Sequence, residues 1–146
     1  MSKGNTFEAD VLALIFNATA IANIAQNGVS PLTDLHVSLH TSDPTDAGTQ
    51  TSNETGYTGY ARVAVARTTG GWAVSGTNPT VVSPVANIDF PECSAVPGAA
   101  ITHFGVGVSA FPTAGKLLYS GTVTPNITMA VGVIPRLKTT STISED

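Results

Sequence analysis

The chain has 146 residues, room for one domain with a single core. Charged residues make up 11% of it, against roughly 25% in ordinary soluble domains. The net charge is −4 and the six basic residues form no run, which excludes nucleic acid as a partner. Uncharged polar residues replace the missing charge, with Thr alone occurring 21 times. Lys and Glu keep a free monomer dispersed, whereas Thr, Ser, Ala and Gly suit a surface that touches other protein. The composition therefore points to a subunit of an assembly.

From the N-terminus, Phe7, Val11, Leu14, Ile15, Ala18, Ile21, Ala22 and Ala25 recur at spacings of three and four. That period predicts a helix from about Thr6 to Gln26 with one apolar face. Asn5 is the expected cap with Glu8 in a capping-box position, and Asn27-Gly28 the expected stop. Residues 1–30 read as a helical arm or clamp, with Phe7 and Phe16 as contact residues, ahead of a body at 31–146. Val11–Phe16 is cut by Asn17 and Thr19, so no run approaches the roughly 18 apolar residues of a membrane helix. Lys3, Glu8 and Asp10 break the order of a signal peptide, and a cytoplasmic site of synthesis with no membrane partner is expected.

After Pro31 the texture changes to short β-branched and aromatic runs divided by Gly, Pro, Asn and Ser. Strands are predicted at 35–41, 57–68, 72–75, 80–83, 86–90, 100–108, 116–123, 127–131 and 136–143. About eight or nine strands in so short a body is the density of a β-sandwich or jelly roll, each strand burying one face on a second sheet. The long connection from Ser42 to Gly56 is polar and charged, the kind of loop that is mobile or engaged with a neighbour.

The stretch Glu54-Thr-Gly-Tyr-Thr-Gly-Tyr-Ala-Arg-Val-Ala-Val-Ala-Arg67 concentrates two arginines in a chain that uses charge sparingly. On a strand spanning 57–68, Arg62 and Arg67 point to opposite faces and form no basic patch. Gly56 and Gly59 permit close approach, and Tyr57 and Tyr60 offer broad, rigid contact surface. Protein contact follows. Arg62 or Arg67 pairs with a carboxylate, inside the domain by preference, otherwise across a subunit boundary.

Signals for chemistry are absent. His36 and His40, four apart on a strand, stand roughly 13 Å from each other and share no metal. His103 joins them only through a coincidence of pairing, and Cys93 has no partner for a disulfide or a metal motif. Gly105-Val-Gly-Val-Ser-Ala110 spells a dinucleotide fingerprint, but Phe111-Pro112 follows where a helix is required, so it reads as a small-residue strand. Gly115-Lys116 lacks the remainder of a phosphate loop, and no serine sits in a nucleophile elbow. Asp43-Pro-Thr-Asp46 reads as a turn, and the other acids are scattered. No enzyme and no cofactor are expected.

The succession Leu35-His-Val-Ser-Leu-His-Thr-Ser-Asp-Pro44, Gly59-Tyr-Ala-Arg-Val-Ala-Val65, Asn87-Ile-Asp-Phe-Pro91, Ile101-Thr-His-Phe-Gly105 and Gly115-Lys-Leu-Leu-Tyr-Ser-Gly121 resembles a family of small tailed-phage virion proteins. Its members are described as capsid decoration (cement) proteins or as tail-fibre-like proteins. The resemblance implies a non-enzymatic β subunit on an assembled particle, made in the host bacterial cytoplasm. The first expectation is a decoration protein on the capsid surface, with the major capsid protein as partner and itself as a second, a dimer before a trimer. Absence of a heptad run and of an internal repeat favours this over the alternative, a tail or fibre component such as an adaptor or receptor-binding knob. Its expected contacts are Tyr57, Tyr60, Arg62, Asp43, Asp46, Phe7 and Phe16.

Overall fold

The computed structural model describes residues 2–17, 19–22, 24–25, 32–76 and 79–145. Its elements are β1 (Ser2–Lys3), α1 (Asn5–Asn17), β2 (Asp34–His40), β3 (Val63–Ala66), β4 (Trp72–Ser75), β5 (Thr80–Pro84), β6 (Ile88–Asp89), β7 (Ile101–Gly107), β8 (Leu117–Ile127), β9 (Arg136–Leu137) and β10 (Ile143–Glu145). They form a five-stranded sheet in the order β1-β8-β7-β2-β3, a three-stranded sheet β10-β5-β4 and a short pair β6-β9, with every pairing antiparallel. The architecture is a mainly β sandwich with one N-terminal helix.

Alternation along the strands builds the core. Val37 and Leu39 of β2 and Phe104 and Val106 of β7 face Ile143, Ile88 and Leu137, with Trp72 and Val82 packed at the margin. The opposite face of β2 would normally meet water. Here Ser38 and His40 are fully buried as well, because the Ser42–Gly56 connection folds back over that face. Bridges His40↔Glu54 and Thr49↔Lys116 hold it down, and Pro44 and Gln50 are fully buried. The small residues of β7 make room for it: a Cβ at Gly107 would lie 2.2 Å from Gln50 Cδ, and one at Gly105 2.7 Å from Ser38 Oγ. The loop expected to be mobile or to meet a neighbour is engaged with its own sheet.

The helix departs from expectation at both ends. Gly4, not Asn5, precedes the first turn: its carbonyl accepts from Glu8 N–H at 3.0 Å while Asn5 N–H donates to Asp46 O at 2.8 Å. Helix α1 ends at Asn17, and Thr19–Ala22 follows a non-helical path, since Asn and Thr are poor helix formers. Ile21 is nonetheless buried with Phe7 and Leu118, whereas Ala22 and Ala25 of the same expected face are exposed. The proposed stop at Asn27-Gly28 lies outside the described residues. The arm folds onto the body: β1 pairs with β8, Gly4 N–H donates to Leu118 O at 3.1 Å, and Asp10 and Lys116 form an ion pair.

Among the strands, the 57–68 expectation shrinks to β3, because Tyr57–Tyr60 is a closed turn (Tyr60 N–H to Tyr57 O, 3.0 Å) with Gly59 at φ 101°. The 86–90 strand shrinks to β6. The 116–123 and 127–131 expectations merge into β8, leaving 128–135 as loop, and 136–143 splits into β9 and β10 around a turn closed by Ser141 N–H to Lys138 O.

Candidate interaction surface

Glu54, Tyr60 and Arg62, the singular stretch of the sequence, meet in one buried cluster. Past Val37, β2 has lost its partner β3, and its edge groups need substitutes. Leu39 O accepts from Thr55 N–H at 2.9 Å and Leu39 N–H donates to the Tyr60 hydroxyl at 3.1 Å. That hydroxyl donates onward to Glu54 Oε1 at 2.7 Å. Arg62 Nε and Nη2 grip Glu54 Oε1 and Oε2, each at 2.7 Å, a bidentate pair with side-chain exposures of 0% and 5%. The remaining nitrogen, Nη1, donates to the carbonyls of Ser109 (2.8 Å), Ala110 (3.2 Å) and Thr113 (2.8 Å). Burial, reinforced by Glu54, pushes the Tyr60 phenol well above its ordinary range, so it stays a donor. Arg62 thereby clasps the 109–113 loop to the folded-back connection, and Phe111 packs edge-on against Tyr60 at 5.2 Å.

Arg67 serves a separate place. It follows β3 instead of lying within a strand, and donates to the carbonyls of Leu32 (3.3 Å) and Ile24. Gln50 spans the same interior as Arg62, donating to His36 O at 3.2 Å and accepting from Ser109 N–H at 2.9 Å. His40 has Nδ1 2.8 Å from Ser52 O and Nε2 2.9 Å from Ser38 Oγ, which fits a neutral ring protonated on Nδ1. Burial lowers its pKa, opposed by the Ser52 carbonyl and Glu54 and assisted by Arg62 and His103. His103 is the cross-strand partner of His40 after all, yet its Nδ1 bonds Thr102 Oγ1 at 2.8 Å. Among the described residues no three His, Cys, Asp or Glu side chains converge on a point.

The other expected contact residues divide by exposure. Tyr57, its hydroxyl donating to Pro91 O at 2.7 Å and its pKa pushed up to about 12 by burial, lies in the core beside Cys93. Tyr57, Tyr60 and Arg62 present almost no surface, and Phe7 is packed edge-on against Tyr119 at 5.7 Å. Asp43 and Asp46 are exposed. Asp43 Oδ1 accepts from Thr45 N–H at 2.8 Å and closes the turn, while Asp46 supplies its carbonyl to the helix start. Phe16, at the end of α1, is 78% exposed.

Beyond Phe16, Asp43 and Asp46, exposed apolar surface lies on two loops that composition did not single out. Hydrogen bonds Phe90 N–H to Pro135 O, Cys93 N–H to Val133 O and Gly132 N–H to Cys93 O stitch 90–98 to 130–135, and Thr58 N–H donates to Val96 O. On this rigid support stand Val96 (66% exposed), Val131 (63%) and Ile134 (53%). Glu92 is the only charged residue in 91–98 and 130–135. Exposed branched side chains on a firmly bonded, charge-poor platform suit protein contact. The signal was present in the runs Ala95-Val-Pro-Gly and Met129-Ala-Val-Gly-Val-Ile134, the second of which reads in part as the expected strand 127–131.

No curated protein matches the chain. The family model described as "Podophage GP4 fiber I protein gp80" matches residues 3–144, from β1 through β10. The chain belongs to this family, and with it to the structural proteins of the phage virion.

Proposed function

We propose that the chain is a building unit of a tail fibre, acting through attachment to other virion proteins and without catalysis. The observation that carries this reading is the extent of the family match, which takes in the helix, both sheets and the loops between them, so the fibre description applies to the whole domain. The platform of Val96, Val131 and Ile134 supplies the attachment face, with further copies of the same chain as partner. Capsid decoration, the first expectation from the resemblance and from the absence of a heptad run or repeat, has the weaker support, since the family description names a fibre.

Two measurements test this. Copy number per purified particle, by mass spectrometry against the major capsid protein, is expected to be low and a multiple of the tail symmetry. A simple fraction of the shell subunits would overturn the fibre reading and restore decoration. Asp substitution at Val131 and Ile134 places charge on exposed positions, so the domain keeps its stability while association, read by sedimentation, weakens about tenfold or more. Unchanged association in that double variant would move the contact to another face.

A further inference from the structure

A cleft of about 580 Å³ runs along the outer edge of β8. Its origin is a fault in the ladder. The β7–β8 register passes from Ile101↔Ile127 to His103↔Thr122, two residues on one strand against five on the other, so 123–126 arch away from the sheet. β1 pairs only with Tyr119 and Ser120, which leaves that edge open, and the 136–142 segment forms the opposite wall. Phe104 and Leu137 make the floor.

Thr122, Thr124, Asn126, Thr140, Ser141 and Thr142 line the walls. All but the half-buried Ser141 are exposed, and none of these side chains spends its donors or acceptors on a partner among the described residues, so they are open to a ligand. Lys138 and Arg136 complete the lining, and no acid joins it. Arg136 spends Nε and Nη2 on Asp89, leaving Nη1, while Lys138 makes no ion pair among the described residues.

Hydroxyls and a carboxamide each donate and accept, so their natural complement is a ligand bearing many groups that do the same. An apolar ligand would strand them. A nucleic acid would require more than two cations on a chain of net charge −4. The volume falls within the ~300–1,000 Å³ typical of small-ligand sites. We propose that this cleft binds an acidic oligosaccharide, its hydroxyls meeting the Thr and Asn side chains and its anionic group meeting Lys138 and Arg136 Nη1. The inference stands on the cleft alone and does not depend on the fibre role.

Titration of the intact chain with galacturonate oligomers, heparin-derived oligomers and neutral malto-oligomers of equal length, followed by amide shifts and calorimetry, tests it. Acidic probes are expected to saturate and to shift Thr122–Asn126, with neutral ones binding more weakly. Lys138→Gln is expected to weaken acidic binding about fivefold to tenfold and leave neutral binding as it was. Thr140→Val with Thr142→Val is expected to lower both. Absence of saturable binding by every acidic probe, or equal affinity in parent and variants, overturns the proposal.

Discussion

Removing the guanidinium at position 62 would leave Glu54 buried with its charge unmatched and three loop carbonyls without their shared donor. Arg62→Ala is therefore expected to cost about 3–5 kcal/mol of unfolding free energy in urea titration. Arg62→Lys recovers only part of this, because one ammonium cannot span both Glu54 oxygens and reach three carbonyls as well. A loss below about 1 kcal/mol would show the pair to be incidental. Coupling between Glu54→Ala and Arg62→Ala in a double-mutant cycle is expected to be strongly non-additive. A second residue-scale effect concerns pH. Burial lowers the pKa of both His36 and His40 from 6.5, so the unfolded chain takes up protons first as pH falls. Their contribution to stability is complete above the unfolded value of 6.5 and declines below it, through the depressed folded values. His40→Gln should flatten the melting temperature between neutral pH and pH 5, and an unaltered slope would assign the acid sensitivity to other groups. The sequence marks Glu54, Tyr57, Tyr60 and Arg62 as unusual. It favours an internal carboxylate for Arg62, as Glu54 supplies, but not the inward tyrosines, because a tyrosine with a buried partner reads like one awaiting a neighbour, nor the Arg62 carbonyls, which lie 47 to 51 residues away.

At the scale of elements, the start of the helix is brought against β8 by a close approach at Gly4. A Cβ at Gly4 would fall 2.4 Å from the backbone oxygen of Leu117, an atom that cannot swing aside. Gly4→Ala is expected to lift the first turn of α1 from β8, speeding amide exchange over residues 5–17 while β2 and β7 stay protected. Gly56→Ala, with nothing within 4 Å of the added carbon, is the control. Protection of α1 equal in the two variants would show that the helix is anchored elsewhere. Strands with alternating cores were legible: Trp72–Ser75 coincides with its expectation, and β2 and β7 lie within a residue of theirs. Expectations failed where texture outran geometry. Tyr57–Arg62 has strand-like residues but closes a turn at Gly59, and of the apolar period after Asn17 Ile21 is buried on a path that is no longer helical while Ala22 and Ala25 are exposed.

For the molecule as a whole, a sandwich follows from many short alternating strands, and the scarcity of charge points to a subunit of an assembly. The proposed attachment face does not follow from sequence, since Val96, Val131 and Ile134 owe their exposure to a ladder between segments about 40 residues apart, visible only after folding. The same topology imposes a schedule on synthesis. The first strand pairs Ser2 with Ser120, so it waits 118 residues for its partner. At the usual pace of translation that is about 6–24 s during which the five-stranded sheet cannot be completed. A nascent chain so poor in charge has little to keep its unpaired strands apart in that interval. Its yield in the infected cell is therefore expected to depend on how quickly β8 leaves the ribosome, as well as on the stability of the finished fold.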